Sequence, residues 1–416
     1  MSGRRVGFCL SDKKRKRMNL DAFAELCAYV GVRPLVAQGP FDVIVHKLSD
    51  VIVEADRDSQ SQQLLTNFQS YVSAHPSTVL LDPLPAMTQL LDRFASYRIM
   101  NKLHNSLRDW RICSPPYLEI HHASDILTIQ QAMVTQGLSF PLICKTRVAH
   151  GSQSHEMSLI FSAGSLADVR PPCVLQSFVN HGAVLHKVFV VGDRHFCVER
   201  PSLKNFPSGP CDRKTIFFNS HEVSKPESSS HLTALDEQMP CLPPPSSEAV
   251  AALVKELRVQ LGMALFGVDV IISIHTHTLT VIDINIFPGY EGVPQFFSSL
   301  LCHIESVLDK QTAASPQAAG SPESTQATGM QPQEQITDSA APQWPPETRE
   351  TQVALLHKLF HWGPKRFHSN RFSYIPDYFY NYIYLNCPPK PYPNKINDIC
   401  DFVQVRDAAL FRCNPL

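Results

Sequence analysis

The sequence predicts an α/β protein. A small parallel α/β domain comes first, a unit of two α+β subdomains follows, and a disordered linker and a C-terminal tail end the chain. Strand-like and helix-like runs alternate over roughly the first hundred residues, and closely spaced strand-like runs come after them. The composition then changes sharply after residue 310. A chain of 416 residues has room for two or three domains.

The N-terminal part alternates regularly between the two patterns. Its strand-like runs are RRVGFCL, FDVIVHKL and TVLLD. Its helix-like runs are MNLDAFAELCAYVG, SQQLLTNFQSYVSAH and PAMTQLLDRFASYRIMNKLH, the last predicted as one long helix with proline near its start. Because a βαβαβα order places helices on the faces of parallel strands, we expect a small parallel sheet.

Closely spaced strands follow the CSPP motif, namely PYLEI, FPLICKTR, MSLIF and CVLQSFV, with a helix near 124–136. The run HKVFVVGDRHFCVER predicts a hairpin that turns at Gly192 and Asp193. A helix at 247–261 precedes a second hairpin, in which HTHT joins FGVDVIISI to LTVIDINIF. A helix near 295–308 ends this part of the chain.

The linker is rich in Ala, Ser, Pro, Gln and Thr and nearly devoid of large apolar residues. Such a segment cannot bury enough surface to offset the entropy lost on ordering, so we expect disorder. The tail is aromatic without a clear period, which leaves its order open. The expected domains are 1–100, 101–180 and 181–310, followed by the linker 311–350 and the tail 351–416.

Charge and composition exclude several classes of protein. The formal net charge of −1 argues against a general nucleic-acid binder. No apolar run approaches the roughly 20 residues that span a bilayer. The 12 cysteines include no CxxC pair, which is typical of a reducing compartment. We therefore expect a cytoplasmic monomer without a nucleic-acid partner or membrane span, and the basic run KKRKR leaves nuclear presence possible.

Polar residues interrupt an apolar strand in LTVIDINIFPGYEG. Asp283 and Asn285 lie two residues apart and share one strand face, and Asp269 lies on the preceding strand of the same hairpin. Two nearby acids repel unless a cation neutralises them, and oxygen ligands of this kind suit Mg²⁺. The pattern favours a metal site over the alternative that each acid caps a strand or pairs with arginine.

Two lysines occur inside strand-like apolar runs, Lys145 in LICKTRVAHG and Lys187 in VLHKVFVV. Such a lysine is usually an edge-strand residue that faces solvent. Here both belong to the same predicted unit as the acid-bearing hairpin, which favours phosphate binding. The chain has no GxxxxGK[ST], HRD or DFG motif, so nucleotide binding would need another scaffold.

The order of these motifs resembles the ATP-grasp fold: a strand lysine, a connection from Gln176 to Lys187, Arg200 before a proline, and the acid hairpin. The strings ICKTRVAHGSQSHEM, ERPSLKNF, FFNSHEVSKPESSS, FGVDVI and IDINIFPGYEG resemble the inositol 1,3,4-trisphosphate 5/6-kinase family. The resemblance runs from about residue 4 to 308. It implies that 1–100 bind inositol phosphate, while 101–180 and 181–310 form the central and C-terminal ATP-grasp subdomains.

The resemblance implies a Mg²⁺-dependent kinase that transfers the γ-phosphoryl group of ATP to hydroxyls of inositol polyphosphates. The implied activities are inositol 1,3,4-trisphosphate 5/6-kinase and inositol 3,4,5,6-tetrakisphosphate 1-kinase, with phosphate exchange between inositol phosphates in addition. One or two Mg²⁺ ions would be held by Asp269, Asp283 and Asn285. Catalytic cations would be Lys145, Lys187 and Arg200.

The resemblance also implies two sets of binding residues. The adenine would lie between the two subdomains, in contact with backbone groups of the 176–187 connection. The ATP-binding set is Arg93, Lys145, Gln176, Ser177, Phe178, Val179, Asn180, His181, Gly182, Ala183, Val184, Leu185, His186, Lys187, Ser202, Ser220 and Ser224. The inositol phosphate set is Lys14, Lys47, His155, Lys187, Asn285 and Gly289.

Two alternative functions stay open at this point. An ATP-grasp carboxylate–amine ligase would use the same acid hairpin, but the clustered N-terminal lysines favour a polyphosphate acceptor over an amine. A non-catalytic inositol-phosphate-binding adaptor would require a lost metal site, whereas the three expected ligands are present.

Overall fold

The computed structural model describes residues 4–18, 40–151, 153–234, 242–314 and 380–386. The expected helix MNLDAFAELCAYVG lies outside these residues apart from Met18, as do the linker beyond Ala314 and most of the tail. Within the described ranges, no helix is long and apolar enough to cross a membrane.

The strands and helices are numbered in chain order. The strands are β1 (Arg5–Ser11), β2 (Val43–His46), β3 (Val79–Leu81), β4 (Ile112–Cys113), β5 (Tyr117–Ile120), β6 (Leu142–Thr146), β7 (Glu156–Ile160), β8 (Cys173–Ser177), β9 (Val184–Val191), β10 (Arg194–Pro201), β11 (Ile216–Asn219), β12 (Leu265–Ile272), β13 (Leu279–Ile286) and β14 (Tyr380–Asn386). The α-helices are α1 (Asp12–Arg17), α2 (Ser49–Glu54), α3 (Ser59–Ala74), α4 (Leu84–Gln89), α5 (Arg93–Leu107), α6 (Ile126–Thr135), α7 (Ser220–Val223), α8 (Ser247–Leu261) and α9 (Phe296–Ala314).

The N-terminal sheet has the order β14-β1-β2-β3. Strands β1, β2 and β3 run parallel, which confirms the predicted parallel arrangement. The apolar residues of β1 and β2 are buried, as expected for strands covered by helices. Strand β14, in the tail whose order the sequence left open, pairs antiparallel with β1 from Ser11 to Arg5.

The predicted long helix PAMTQLLDRFASYRIMNKLH is wrong, because the structure has two helices there. Helix α4 ends at Gln89, and α5 begins at Arg93. Asp92 caps α5: its carboxylate accepts a hydrogen bond from the Phe94 backbone N–H at 3.0 Å. Since an N-cap residue has extended backbone geometry, the chain turns at Asp92 and starts a new helix.

Two further five-stranded sheets follow. The second sheet has the order β10-β9-β12-β13-β4, and the third has the order β11-β7-β6-β8-β5. Both predicted hairpins are present, as β9–β10 and β12–β13, and α8 has the predicted bounds. Buried residues of the first two sheets, such as Phe8, Val45 and Val268, belong to one continuous core, while the third sheet has a separate core on each face.

The turn of the β9–β10 hairpin fits closely against α9. Gly192 has φ +58° and donates its backbone N–H to the Ala264 carbonyl at 2.9 Å. A Cβ atom at this position would lie 2.2 Å from Nδ1 of His303 in α9. Glycine is therefore required here by both the backbone angle and the packing.

A buried carboxylate connects the N-terminal sheet to the second sheet. Asp82, directly after β3, accepts hydrogen bonds from the backbone N–H groups of Ala264 at 2.7 Å and Leu265 at 3.0 Å. Burial raises the pKa of Asp82 to about 6, although the two N–H donors act in the opposite direction. The end of β3 is thus fixed to the start of β12.

We expect Asp82→Ala to lower the free energy of unfolding by about 2–4 kcal/mol, because two buried N–H groups would lose their acceptor. Asp82→Asn should cost less, since its amide keeps one acceptor oxygen. Chemical denaturation followed by circular dichroism measures the effect, with the exposed Asp56→Ala as the control. Equal stability of the wild-type and Asp82→Ala proteins would contradict this role.

Candidate active site

A cleft lies between the second and third sheets and holds about 1070 Å³ of non-protein space, including the part open to solvent. Residues of β6, β7 and β8 line one side, and residues of β9, β12 and β13 line the other. Charged groups gather at the second sheet, and apolar groups gather around the connection between the sheets. This division suits a ligand with a charged end and a flat apolar end.

The three predicted metal ligands lie together in this cleft. Asp269 in β12 is directly opposite Asp283 in β13, and Asn285 follows two residues later on the same strand face. A β-bulge between Asp269 and Val270 shifts the register of the hairpin at this point. The strand period of two therefore brings both carboxylates and the amide to one surface.

Lys187 continues this row of charges onto the next strand. It lies opposite Asp269 across β9 and β12, and its Nζ atom is 3.2 Å and 3.1 Å from the two carboxylate oxygens. Both side chains are largely enclosed, with 23% and 15% exposure. The lysine offsets part of the negative charge of the two neighbouring acids.

Lys145 reaches the same row from the third sheet. Its Nζ atom donates to the Ile282 carbonyl at 2.9 Å and lies 5.3 Å from the centre of the Tyr97 ring. Burial lowers the pKa of Lys145 to about 8, and the charge of Arg93 adds to this, while Asp283 and Asp269 raise it. The lysine is buried yet mostly charged at pH 7, as a phosphate-binding group must be.

The donor atoms of Asp269, Asp283 and Asn285 fit a magnesium ion. Carboxylate and amide oxygens are hard ligands, and an ion with few protein ligands keeps positions for water and phosphate oxygens. In the described ranges, no group of three His, Cys, Asp or Glu residues could hold a metal, because the third member of this set is an asparagine. Softer metals that require nitrogen or sulfur ligands are thus disfavoured at this site.

A network of side chains fixes the connection between β8 and β9. The Asn180 amide donates to the Phe206 carbonyl at 2.8 Å and accepts from the Phe206 N–H at 2.9 Å. The Asn205 side chain accepts from the N–H groups of His181 and Gly182, both at 3.0 Å. Gly182 has φ +64°, which favours glycine at this turn.

His181 joins the connection to the end of β10. Burial lowers the pKa of His181 to about 4, so the imidazole is neutral at pH 7. Its Nδ1 atom lies 2.7 Å from the Val179 carbonyl, and its Nε2 atom lies 2.7 Å from Ser202 Oγ. A neutral ring that donates from Nδ1 to the carbonyl leaves Nε2 to accept from the serine hydroxyl.

Only part of the predicted ATP-binding connection faces the cleft. The cleft-lining members are Gln176, Phe178, Val179, His181, Leu185 and Lys187. The members outside the lining are Ser177, Asn180, Gly182, Ala183, Val184 and His186. The predicted Ser202, Ser220 and Ser224 do line the cleft.

The sequence analysis did not name the apolar wall of the cleft. Its members are Ile143, Met157, Leu203, Phe218, Val223 and Ile271. Apolar residues in strands are ordinary core residues in a sequence, so no pattern distinguished these from the rest. Together with Phe178 they provide a surface for a flat ring.

Arg93 lies in the cleft wall, but its guanidinium is engaged with backbone groups. It donates to the carbonyls of Thr146, Val148 at 3.4 Å and Ser154 at 3.1 Å. The side chain is 3% exposed. Arg93 therefore holds the segment 146–154 in place and presents little of its surface to a ligand.

Three histidines line the cleft near this segment: His150, His155 and His221. The His155 and His221 rings lie 5.6 Å apart, and the Ser220 N–H donates to the His155 carbonyl at 2.9 Å. Only His155 was predicted. The signal for the other two was weak, because His150 merely precedes Gly151 in the same string and His221 merely follows Ser220.

Four predicted residues lie outside the cleft lining, at the loop 287–292 after β13. The Lys14 Nζ atom donates to the Phe287 carbonyl at 2.9 Å and to the Pro288 carbonyl. Lys47 donates to the same Phe287 carbonyl at 3.2 Å. Arg200 donates to the Glu291 carbonyl at 2.7 Å, and Gly289 is part of this loop.

Two family models match the chain. The pre-ATP-grasp domain of inositol 1,3,4-trisphosphate 5/6-kinase matches residues 5–87, and the ATP-grasp domain of that kinase matches residues 106–306. The chain belongs to the inositol 1,3,4-trisphosphate 5/6-kinase family. The predicted family and ATP-grasp fold are thereby confirmed, and an ATP-grasp kinase family implies the use of ATP.

Other proteins named for this kinase activity are similar over most of their length. Inositol-tetrakisphosphate 1-kinase of Danio rerio is 52% identical over 320 residues, which cover 75% of this chain and 81% of that protein. The protein of the same name from Xenopus laevis is 48% identical over 368 residues, with 86% and 91% covered. Inositol-tetrakisphosphate 1-kinase 3 of Oryza sativa subsp. indica is 34% identical over 320 residues, with 75% and 85% covered.

Among solved structures, D-alanyl-alanine synthetase A from Vibrio cholerae O1 biovar eltor matches with a TM-score of 0.40 and 13% identity. This match covers 65% of the present chain and 77% of that structure's chain. The assignment to the inositol 1,3,4-trisphosphate 5/6-kinase family is carried by the family models and the three relatives above.

We expect nucleotide affinity to fall by up to about tenfold per pH unit once the pH rises above about 8. Below that pH Lys145 is charged, and above it the lysine loses the charge that attracts phosphate. Titration with a fluorescent ATP analogue from pH 6.5 to 9.5 measures this. Lys145→Arg should bind with a flatter profile because arginine keeps its proton.

The exposed Lys255→Met is the matched control, and its pH profile should follow that of the wild-type protein. An identical pH dependence of the wild-type and Lys145→Arg proteins would show that Lys145 does not contact the nucleotide.

Proposed function

We propose that this chain is a Mg²⁺-dependent kinase that transfers the γ-phosphoryl group of ATP to a hydroxyl of an inositol polyphosphate. The observation that carries the proposal is the row of Lys187, Asp269 and Asp283 across three neighbouring strands, with Lys145 and Asn285 beside it. Membership of the inositol 1,3,4-trisphosphate 5/6-kinase family and the names of the relatives support the acceptor class.

Asp269, Asp283 and Asn285 would hold one or two Mg²⁺ ions. When bound, the metal supplies positive charge to the terminal phosphate oxygens of the nucleotide. The carboxylates then have two partners, the ion and Lys187, which reduces their mutual repulsion. Asn285 adds an oxygen donor without a further charge.

The lysines of the cleft position and neutralise the phosphate groups. Lys145 and Lys187 approach the acid row from opposite sheets, so a phosphate chain between them meets a cation on each side. Phosphoryl transfer depends mainly on alignment and charge neutralisation, which fits a site rich in cations. The neutral His181 and the fixed backbone around Val179 would hold the adenine end.

The acceptor would lie beside the loop 287–292. Lys14 and Lys47 come from the C-terminal ends of two parallel strands, and both Nζ atoms approach the carbonyl of Phe287, two residues beyond Asn285. A polyphosphorylated ring needs several cations from different elements, and this arrangement supplies them next to the metal ligands. His155 would approach the ring from the cleft wall.

Arg200 has a different position from the other two predicted catalytic cations. Its guanidinium donates to the carbonyls of Glu291 and Glu199, and it is not part of the cleft lining. We therefore assign it the support of the loop 287–292 in the ligand-free protein. Phosphate exchange between inositol phosphates stays a prediction from the family.

Incubation with ATP, Mg²⁺ and inositol 1,3,4-trisphosphate or inositol 3,4,5,6-tetrakisphosphate should give a product with one more phosphate, identified by chromatography. Asp283→Ala should lower kcat by at least about 100-fold, because the phosphates lose the cation that their alignment requires. The exposed Asp212→Asn should leave kcat unchanged. Full turnover by Asp283→Ala would refute the metal assignment.

A further inference from the structure

The segment 146–154 is fixed before any ligand arrives. Arg93 donates to three of its carbonyls, its own backbone N–H donates to the Arg147 carbonyl at 2.8 Å, and the Ala149 N–H donates to the Leu91 carbonyl at 3.0 Å. His150 is therefore held in position on the cleft wall, half-buried, by the backbone on both sides of it. A preorganised side chain of this kind loses little freedom when it binds a ligand.

The groups that face His150 are cationic or can become so. Lys47 approaches from the end of β2, Arg93 from the start of α5, and His155 from the same segment. Burial is the largest cause that lowers the pKa of His150, to about 3, and the three neighbours lower it further. Among the described residues that shift this pKa, none carries a negative charge, so the imidazole is neutral at pH 7.

This cluster lacks an anion. Enclosed positive charges are unfavourable unless an opposite charge pairs with them. Arg93 is 3% exposed, and its Nε atom has no hydrogen-bond partner among the described residues. A phosphate group placed between Lys47 and His150 would supply the missing negative charge and favour the protonated ring.

We propose that His150 is a further substrate-binding residue, which contacts a phosphate group of the inositol polyphosphate as an imidazolium after taking up one proton from solvent. This inference rests on the proposed function, because it names a group of that same site. No covalent bond changes in the step: the ring nitrogen gains a proton, and the phosphate remains an acceptor of its hydrogen bond.

The acceptor phosphate fits this position better than a nucleotide phosphate. Lys47 lies at the C-terminal end of the N-terminal sheet, and its Nζ atom donates to Phe287 beyond the metal ligands. The nucleotide is expected along the acid row and the connection before Lys187, on the other side of the cleft. A proton taken up on binding of ADP alone would instead assign the phosphate to the nucleotide.

The test is isothermal titration of the full chain with inositol 1,3,4-trisphosphate at pH 7, in buffers of different ionisation enthalpy. The wild-type protein should take up as much as one proton more per bound ligand than His150→Gln. Its affinity should then fall between pH 7 and 9 by up to about tenfold per unit more steeply than that of the variant. The KM for ATP should stay the same in both.

His122→Gln, at an exposed position outside the cleft, is the matched control and should behave as the wild type. Histidine NMR of the wild-type protein provides a second measurement, in which the His150 ring shifts from the neutral to the protonated form when the ligand is added. It does not depend on the stability of His150→Gln.

Equal proton uptake by the wild-type and His150→Gln proteins, or a ring that stays neutral in the complex, would overturn the role of His150. A wild-type protein that forms the phosphorylated product while either result is found would leave the proposed kinase function standing. A wild-type protein that neither binds nor phosphorylates any inositol polyphosphate would overturn the proposed function and this inference with it.

Discussion

The ion pair between Lys187 and Asp269 is the interaction on which the candidate active site depends. The registers of β9, β12 and β13 put Lys187, Asp269 and Asp283 in one line, so two acids and a lysine share a partly enclosed surface. Without the lysine, the two carboxylates would repel each other at short range. The same registers place Asn285 on this surface and let Lys145 reach the Ile282 carbonyl from the third sheet.

The N-terminal sheet is joined to this centre by apolar packing and by polar contacts. The first two sheets share one core, and the carboxylate of Asp82 accepts the two N–H groups at the start of β12. Lys14 and Lys47 then reach the loop that follows β13. The end of β3 is thus fixed to the start of the strand that carries Asp269, and two lysines of the first sheet lie beside the end of the strand that carries Asp283.

Local patterns predicted much of this architecture, because periods and turn residues act over a few residues. The alternation around Asp283 was enough to place the acids on one strand face. The break at Asp92 was missed because apolar spacing continues through it, although aspartate is a common N-cap. The partners of Arg93 and Lys14 are backbone carbonyls distant in sequence, and no side-chain pattern reveals such acceptors. His150 acquires its cationic neighbours only through folding.

The fit of Gly192 against His303 has a consequence far from the hairpin turn. Strand β9 runs directly into this turn, so the seating of the turn on α9 also sets how far Lys187 extends along the sheet. An alanine at position 192 would have to push the helix or the hairpin aside. Inherited variation at this remote glycine would therefore resemble an active-site lesion, with the chain still folded and its charge row out of alignment.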